Sequence, residues 1–150
     1  MKPPWYQTFV IPVNLASTTL PTDSPSVGMA ALLPAGADGA LAFPAPLLRR
    51  ITAAPADGLR LITISGDSMA PTLEHGDMVM VDTNSTSPSP PGIFVLDDGI
   101  GLVAKRVDAI PNTATRMLRL SSDNPAYSNY QRRIDEERVI GRVVWFARSL

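Results

Sequence analysis

Prolines and glycines interrupt this chain too often for a helical bundle. Fifteen prolines and ten glycines are spread over 150 residues, and neither is well tolerated inside a helix. The apolar runs between them are short, rich in β-formers and separated by turn-like segments such as Asp97-Asp98-Gly99. The predicted strands are 59–65, 78–82, 93–96, 101–107, 117–120 and 139–146. We therefore expect a mainly β body of short antiparallel strands, with helix only around 46–51 and for one turn after Gly66.

The composition changes near residue 49. Residues 1–48 hold eight of the fifteen prolines and three charged side chains, namely Lys2, Asp23 and Asp38. We expect an extended, uncharged N-terminal arm over 1–48 and a folded domain over 49–150. A flexible Pro/Ala/Ser linker is the alternative for the arm. The sequence shows no helix-turn-helix pattern. Its first residues lack the pattern of a secretory signal, and no apolar stretch is long enough to span a bilayer.

Composition also excludes several kinds of site. The chain has no cysteine and a single histidine, His75. A disulfide framework, a thiol nucleophile and a multi-histidine metal centre are therefore excluded, and we expect no metal and no cofactor. The net charge of −1 gives no electrostatic reason for these residues to bind nucleic acid directly.

Lysine usage singles out one residue of the predicted domain. Eleven of the thirteen basic residues are arginine, and the lysines are Lys2 and Lys105. In a strand over 101–107, Lys105 shares a face with Val103 and Val107. Desolvation on such a face lowers the pKa of an amine, and a neutral lysine is a competent general base. The alternative is a lysine on an edge strand whose amine reaches solvent.

Ser68 is the second candidate. It follows a predicted strand and Gly66, at the start of a turn. A serine at such a turn exposes its hydroxyl, and neighbouring backbone N–H groups are free to bind an oxyanion. The alternative is a serine that only caps the turn.

Two segments together resemble a known family. Residues 65–73 (SGDSMAPTL) and 75–82 (HGDMVMVD) are similar to the nucleophile segment of the LexA-like self-cleaving peptidases, peptidase S24. Residues 103–107 (VAKRV) resemble the lysine strand of that family, 37 residues after the serine. Segments 120–127 (LSSDNPAY) and 139–145 (VIGRVVW) resemble the phage-repressor branch, as does Phe43-Pro44 followed by Leu47-Leu48. The resemblance covers roughly residues 41–148.

This resemblance implies a β-barrel-like fold and a serine–lysine dyad. Ser68 would be the nucleophile, Lys105 the general base, and the backbone N–H groups of Asp67 and Ser68 the oxyanion hole. The substrate would be the protein's own chain, cut at Ala35-Gly36, with Gly28 as the fallback. His75 lies close to Ser68 in sequence, but we expect it to face solvent rather than to complete a triad.

The resemblance further implies the regulatory and dimerisation domain of a phage-type transcriptional repressor, a cytoplasmic serine endopeptidase that inactivates itself in the SOS response. Its partners would be a second copy of the chain and a RecA–single-stranded DNA filament. DNA would be bound only through a separate helix-turn-helix domain. Strand 139–146 would supply the dimer contact, or else be a central strand of the body.

Three other functions stay open. One is a UmuD-like accessory protein that a DNA polymerase binds after cleavage. The second is a non-catalytic dimerisation or protein-binding module of the same fold. The third is a signal peptidase, which shares the Gly-Asp-Ser-Met-x-Pro-Thr-Leu segment, but the lack of any predicted membrane anchor weighs against it.

Overall fold

The computed structural model of the protein describes residues 8–12 and 40–150. Two short strands, β1 (Thr8–Pro12) and β2 (Ala40–Pro44), pair with each other in antiparallel register and precede helix α1 (Ala45–Ile51). A 3-10 turn at Ala56–Gly58 leads into the main body. There the strands are β3 (Leu59–Thr63), β4 (Met78–Asp82), β5 (Gly92–Asp97), β6 (Leu102–Ile110), β7 (Met117–Ser121), β8 (Tyr130–Arg133) and β9 (Arg138–Ala147).

These seven strands form one antiparallel sheet in the order β3-β4-β9-β5-β6-β7-β8. The mainly β fold expected from the proline and glycine content is confirmed. Each of the six predicted strands of the body is present, with ends displaced by three residues or fewer. The helix predicted over 46–51 is also present as α1. It crosses residue 48, where the arm was expected to end.

Two parts of the prediction were wrong. No helix follows Gly66, because the chain makes consecutive turns from 66 to 73, with single backbone hydrogen bonds from Ala70 N–H to Asp67 O and from Leu73 N–H to Met69 O. Strand β8 was not predicted, since its sequence Tyr-Gln-Arg-Arg carries no alternating apolar pattern. It forms at the sheet edge, where a strand with exposed polar side chains is tolerated.

The core divides into three clusters that follow the order of the sheet. The first packs α1 against β3 and β4, and there the ring of Phe43 meets that of Trp145 edge-on at 5.6 Å. The second lies between β3, β4, β5 and the turns at 66–73. The third lies between β5, β6 and β7. The buried members are, in the first cluster, Phe43, Leu48, Leu59, Leu61 and Met80; in the second, Ile62, Met69, Leu73, Val79, Val81 and Val95; in the third, Phe94, Leu96, Val107, Leu118 and Leu120.

Strand β9 lies in the middle of the sheet, in agreement with one of the two predictions for residues 139–146. It pairs with β4 and β5, and the register shifts once against each neighbour. Gly141 lies within this region, and a Cβ added there would collide with the backbone oxygen of Asp82. Glycine at this position therefore allows the close approach of β9 to β4.

Candidate functional site

The Ser68 turn, residues 66–73, begins shortly after the end of β3. Gly66 has φ +88°, a left-handed conformation that glycine adopts without strain, and its N–H donates to His75 Nδ1 at 3.3 Å. Past it, Met69 and Leu73 are 2% and 1% exposed in the second core cluster. These two buried side chains anchor the turn to the sheet and leave Ser68 half-buried beside exposed Asp67.

Backbone donors remain available at this turn. Within the described residues, neither Asp67 N–H nor Ser68 N–H donates a hydrogen bond to another protein group. Unpaired amides at a turn are suitable donors for a developing oxyanion. The two amides named from the family resemblance therefore have free hydrogen-bonding capacity here.

Lys105 lies near the middle of β6 and is 8% exposed, while Val107 on the same face is fully buried and the intervening Arg106 is exposed. Phe94 of β5 lies opposite it in the register. The amine is thus buried on an apolar face, as the alternation predicted, and does not extend into solvent. Burial lowers the pKa of the Lys105 amine from its ordinary 10.5, and the negative charge of Asp98 opposes that shift.

Ser122 is a contact that the sequence did not identify. Lys105 Nζ donates a hydrogen bond to Ser122 Oγ at 2.6 Å. The backbone N–H of Ser122 is held in turn by Asn129 Oδ1 at 3.1 Å. Ser122 follows β7 in the segment that carries the family resemblance, but a serine in a polar loop gives no signal of which side chain it meets.

The loop from 122 to 127 connects the Ser68 turn to Lys105. Asn124 N–H donates to Ser68 O and Asn124 Nδ2 to Asp67 O, each at 3.1 Å. Tyr127 OH donates to Asp67 Oδ1 at 2.5 Å, while its ring centroid lies 5.8 Å from Lys105 Nζ. We call residues 122–127 the bridging loop, because its side chains contact both the serine segment and the lysine.

An ion pair fastens the bridging loop to β6. Arg106 donates to both carboxylate oxygens of Asp123, at 2.8 and 2.6 Å. The Arg106 guanidinium is the largest cause that lowers the pKa of the Asp123 carboxyl. Arg106 is the residue after Lys105, so the loop is attached to β6 on both faces of the strand.

A cleft of about 150 Å³ opens beside Ser68. Its walls come from β3, the Ser68 turn, β5 and β6. The lining residues are Ile62, Thr63, Ile64, Ser65, Gly66, Ser68, Met69, Val95, Leu102, Val103 and Ala104. Thr63 is 7% exposed, and its Oγ1 has no hydrogen-bond partner among the described residues. The cleft is small and mostly apolar, which suits a chain segment with small side chains.

Other expectations fall outside this site. His75 is exposed, as predicted, and the structure adds that its Nδ1 accepts a hydrogen bond from the Gly66 N–H. Ala35, Gly36 and Gly28 lie outside the described residues. Among residues 8–12 and 40–150, no three His, Cys, Asp or Glu side chains converge as metal ligands. No helix in the described part of the chain is long and apolar enough to cross a membrane.

Comparison with known proteins decides the family. The model of the Peptidase S24-like family matches residues 23–144. The chain belongs to this family. The S24-like match covers the Ser68 turn, β6 and the bridging loop, and it confirms the resemblance drawn from residues 65–82 and 103–107.

One relative of this S24-like chain is a 26 kDa repressor protein of Escherichia phage HK022. The two are 34% identical over 76 residues, which is 51% of this chain and 31% of that repressor. The match therefore spans about a third of the relative's length. It supports the phage-repressor branch of the S24-like family.

Proposed function

We propose that this chain is the self-cleaving regulatory domain of a phage-type repressor, with Ser68 as nucleophile and Lys105 as general base. The observation that carries the proposal is the buried amine of Lys105, whose pKa is lowered and which the bridging loop links to the Ser68 turn. A buried lysine without a carboxylate partner costs stability, and such groups concentrate at functional sites.

The proposed reaction uses groups of this chain alone. Neutral Lys105 takes the Ser68 hydroxyl proton as Oγ attacks the scissile carbonyl carbon. The N–H groups of Asp67 and Ser68 stabilise the resulting oxyanion. The ammonium then returns its proton to the leaving amine as the peptide C–N bond breaks, and the upstream fragment remains attached to Ser68 as an ester. A water molecule, deprotonated by Lys105, hydrolyses that ester and restores both side chains.

The substrate in this proposal is the segment that precedes β2. We propose Ala35-Gly36 as the cleaved bond, because small residues let a backbone enter the cleft beside Ser68. Cleavage would separate a DNA-reading domain from a dimerising one, and operator affinity would fall through loss of avidity. A second copy of the chain and a RecA–single-stranded DNA filament are the proposed partners, as in an SOS response.

One observation favours a second candidate, a non-catalytic dimerisation module of the same family. Within residues 40–150, the hydrogen bond that Lys105 Nζ donates goes to Ser122 Oγ and not to Ser68 Oγ. In this candidate, Ser68 and Lys105 would be retained without engaging each other. The two candidates differ in whether the chain is ever cleaved into two fragments.

Intact-mass measurement during alkaline incubation, with and without a RecA filament, tests the proposal. We expect two fragments from the wild type, with masses that place the cut, and none from Ser68→Ala or Lys105→Ala. Lys105→Arg should also be inactive, because a guanidinium does not give up its proton. A wild type that stays whole under all these conditions supports the non-catalytic module. Cleavage by Lys105→Arg at the wild-type rate would contradict the dyad.

A further inference from the structure

We infer that Ser122 is a positioning residue for Lys105, and that it turns the amine toward Ser68. This inference rests on the proposed function, in which Lys105 is the base. It names a residue that takes no part in bond making but determines where the base directs its lone pair. The contact behind it is the 2.6 Å hydrogen bond from Lys105 Nζ to Ser122 Oγ.

A neutral lysine needs such a partner. Its Nζ carries two N–H bonds and one lone pair, and it rotates freely about the Cε–Nζ bond. Donation of one N–H to Ser122 Oγ restricts that rotation, and the lone pair then points away from Ser122. The lone pair is then left for the hydroxyl proton of a second group. Pre-orientation of this kind lowers the entropic cost of proton transfer.

The position of Ser122 is itself well determined. Its backbone N–H is bound to Asn129 Oδ1, and the next residue, Asp123, is paired through both oxygens with Arg106. The hydroxyl therefore reaches Lys105 from a loop that is fixed on either side. A group that orients another must be less mobile than the group it orients.

The other groups around the amine do not fix the direction of its lone pair. Tyr127 presents the face of its ring at 5.8 Å, which attracts a positive charge but fixes no rotation. Asp98 acts on Lys105 through its charge and makes no hydrogen bond with it among the described residues. Val103 and Val107, on the same face of β6, are apolar. Ser122 is thus the hydrogen-bond acceptor that Lys105 Nζ uses in the described structure.

Two measurements on Ser122→Ala, Ser122→Thr and Ser121→Ala test the inference. Ser121 is the matched control, since it is the neighbouring serine at the end of β7 and is also half-buried. In the self-cleavage assay, Ser122→Ala should lower the rate at the alkaline plateau by about tenfold or more, and the loss should not exceed the roughly 10²–10⁴ that a whole general base contributes. Ser122→Thr should restore most of it, and Ser121→Ala should cleave like the wild type.

The second measurement does not depend on cleavage. Lys2 and Lys105 are the only lysines, so competitive acetylation with acetic anhydride, read by peptide mass spectrometry at a series of pH values, reports Lys105 directly. An ammonium donates a stronger hydrogen bond than an amine does, so loss of the Ser122 hydroxyl should move the Lys105 midpoint to lower pH. Thermal unfolding of each variant confirms that it is folded.

The outcomes separate this inference from the proposed function. A cleaving wild type together with a Ser122→Ala variant that matches it in plateau rate and acetylation midpoint overturns the positioning role and leaves the dyad in place. A wild type that never cleaves overturns the dyad instead. In that case an unchanged acetylation midpoint in Ser122→Ala overturns the positioning contact as well, and a lowered midpoint retains it as a structural orientation of the amine.

Discussion

Tyr127 OH donates a 2.5 Å hydrogen bond to Asp67 Oδ1, and these residues lie 60 positions apart in the chain. The carboxylate accepts a hydrogen bond from the phenol and so favours the protonated hydroxyl, and this bond is the largest cause that raises the pKa of Tyr127. The ring of the same tyrosine faces the Lys105 amine. A single side chain therefore touches the residue before the proposed nucleophile and the proposed base.

The pH dependence of self-cleavage follows from the state of Lys105. The base is active when neutral, and its pKa is lowered from 10.5 by burial. The rate should therefore rise by about tenfold per pH unit below the pKa of Lys105 and level off above it, with a midpoint below 10.5. Time courses of intact mass between pH 7 and 10.5 measure this midpoint. A rate that does not change over the range would contradict Lys105 as the base.

Replacement of Lys105 by methionine should stabilise the fold while it abolishes cleavage. The folded pKa lies below the unfolded one, so between the two values the unfolded chain binds more protons and wild-type stability rises with pH. We expect Lys105→Met to raise the free energy of unfolding at pH 7 by about 0.5–2 kcal/mol, with a smaller difference as pH approaches 10.5. Urea denaturation at both pH values measures it.

Arg119→Met is the control for that experiment, because Arg119 is an exposed basic residue on β7. It should change stability little at either pH. Equal stabilisation by both variants would show that the effect comes from removal of any positive charge and not from removal of a buried amine.

Tyr127→Phe isolates the bond to Asp67. The ring beside Lys105 is kept and the hydroxyl is lost, so the Ser68 turn loses one of its ties to the bridging loop. We expect the self-cleavage rate to fall about threefold to tenfold, as for loss of one hydrogen bond that aligns the site. Tyr130→Phe serves as the control, since Tyr130 contacts Arg132 and the third core cluster instead. If Tyr127→Phe cleaves as fast as Tyr130→Phe, the bond has no role in alignment.

Asp77 should make the fold sensitive to acid. It is 1% exposed, accepts two hydrogen bonds from Arg148 at 2.8 and 2.7 Å, and also accepts the Glu74 N–H. The Arg148 guanidinium is the largest cause that holds the pKa of Asp77 below 3.8. The folded chain therefore binds fewer protons than the unfolded chain near pH 3–4. This contribution to stability is complete above the unfolded pKa and is lost as pH falls through the folded one.

The variant Asp77→Asn should lower the free energy of unfolding at pH 7 by about 1.5–3 kcal/mol, the range for hydrogen bonds to charged groups. The difference from wild type should shrink at pH 3. Asp135→Asn, which breaks an exposed pair with Arg133, is the comparison and should change little. Urea denaturation of all three proteins at pH 7 and pH 3 gives the result, and equal losses from the two variants at pH 7 would contradict a special role for Asp77.

Local sequence patterns were sufficient for most of the sheet. Strand β4 was predicted with its observed ends because Met78–Asp82 is bounded by a glycine turn and a polar loop. Strand β8 was missed because its pairing with β7, rather than its own sequence, makes it a strand. The pairing of β1 with β2 also joins segments about 30 residues apart, and no short-range signal predicts such a pair.

The candidate site likewise combines residues that local sequence patterns indicated with contacts that they did not. The serine at a glycine turn and the lysine on an apolar strand face are local features, so the sequence made Ser68 and Lys105 candidates, and the family resemblance predicted that they act together. The contacts of Lys105 with Ser122, and of Asp67 with Tyr127, join residues 17 and 60 positions apart. Only the tertiary structure decided these contacts. The place where the bridging loop meets β6 depends on strand order and register, and long-range packing rather than neighbouring residues determines both.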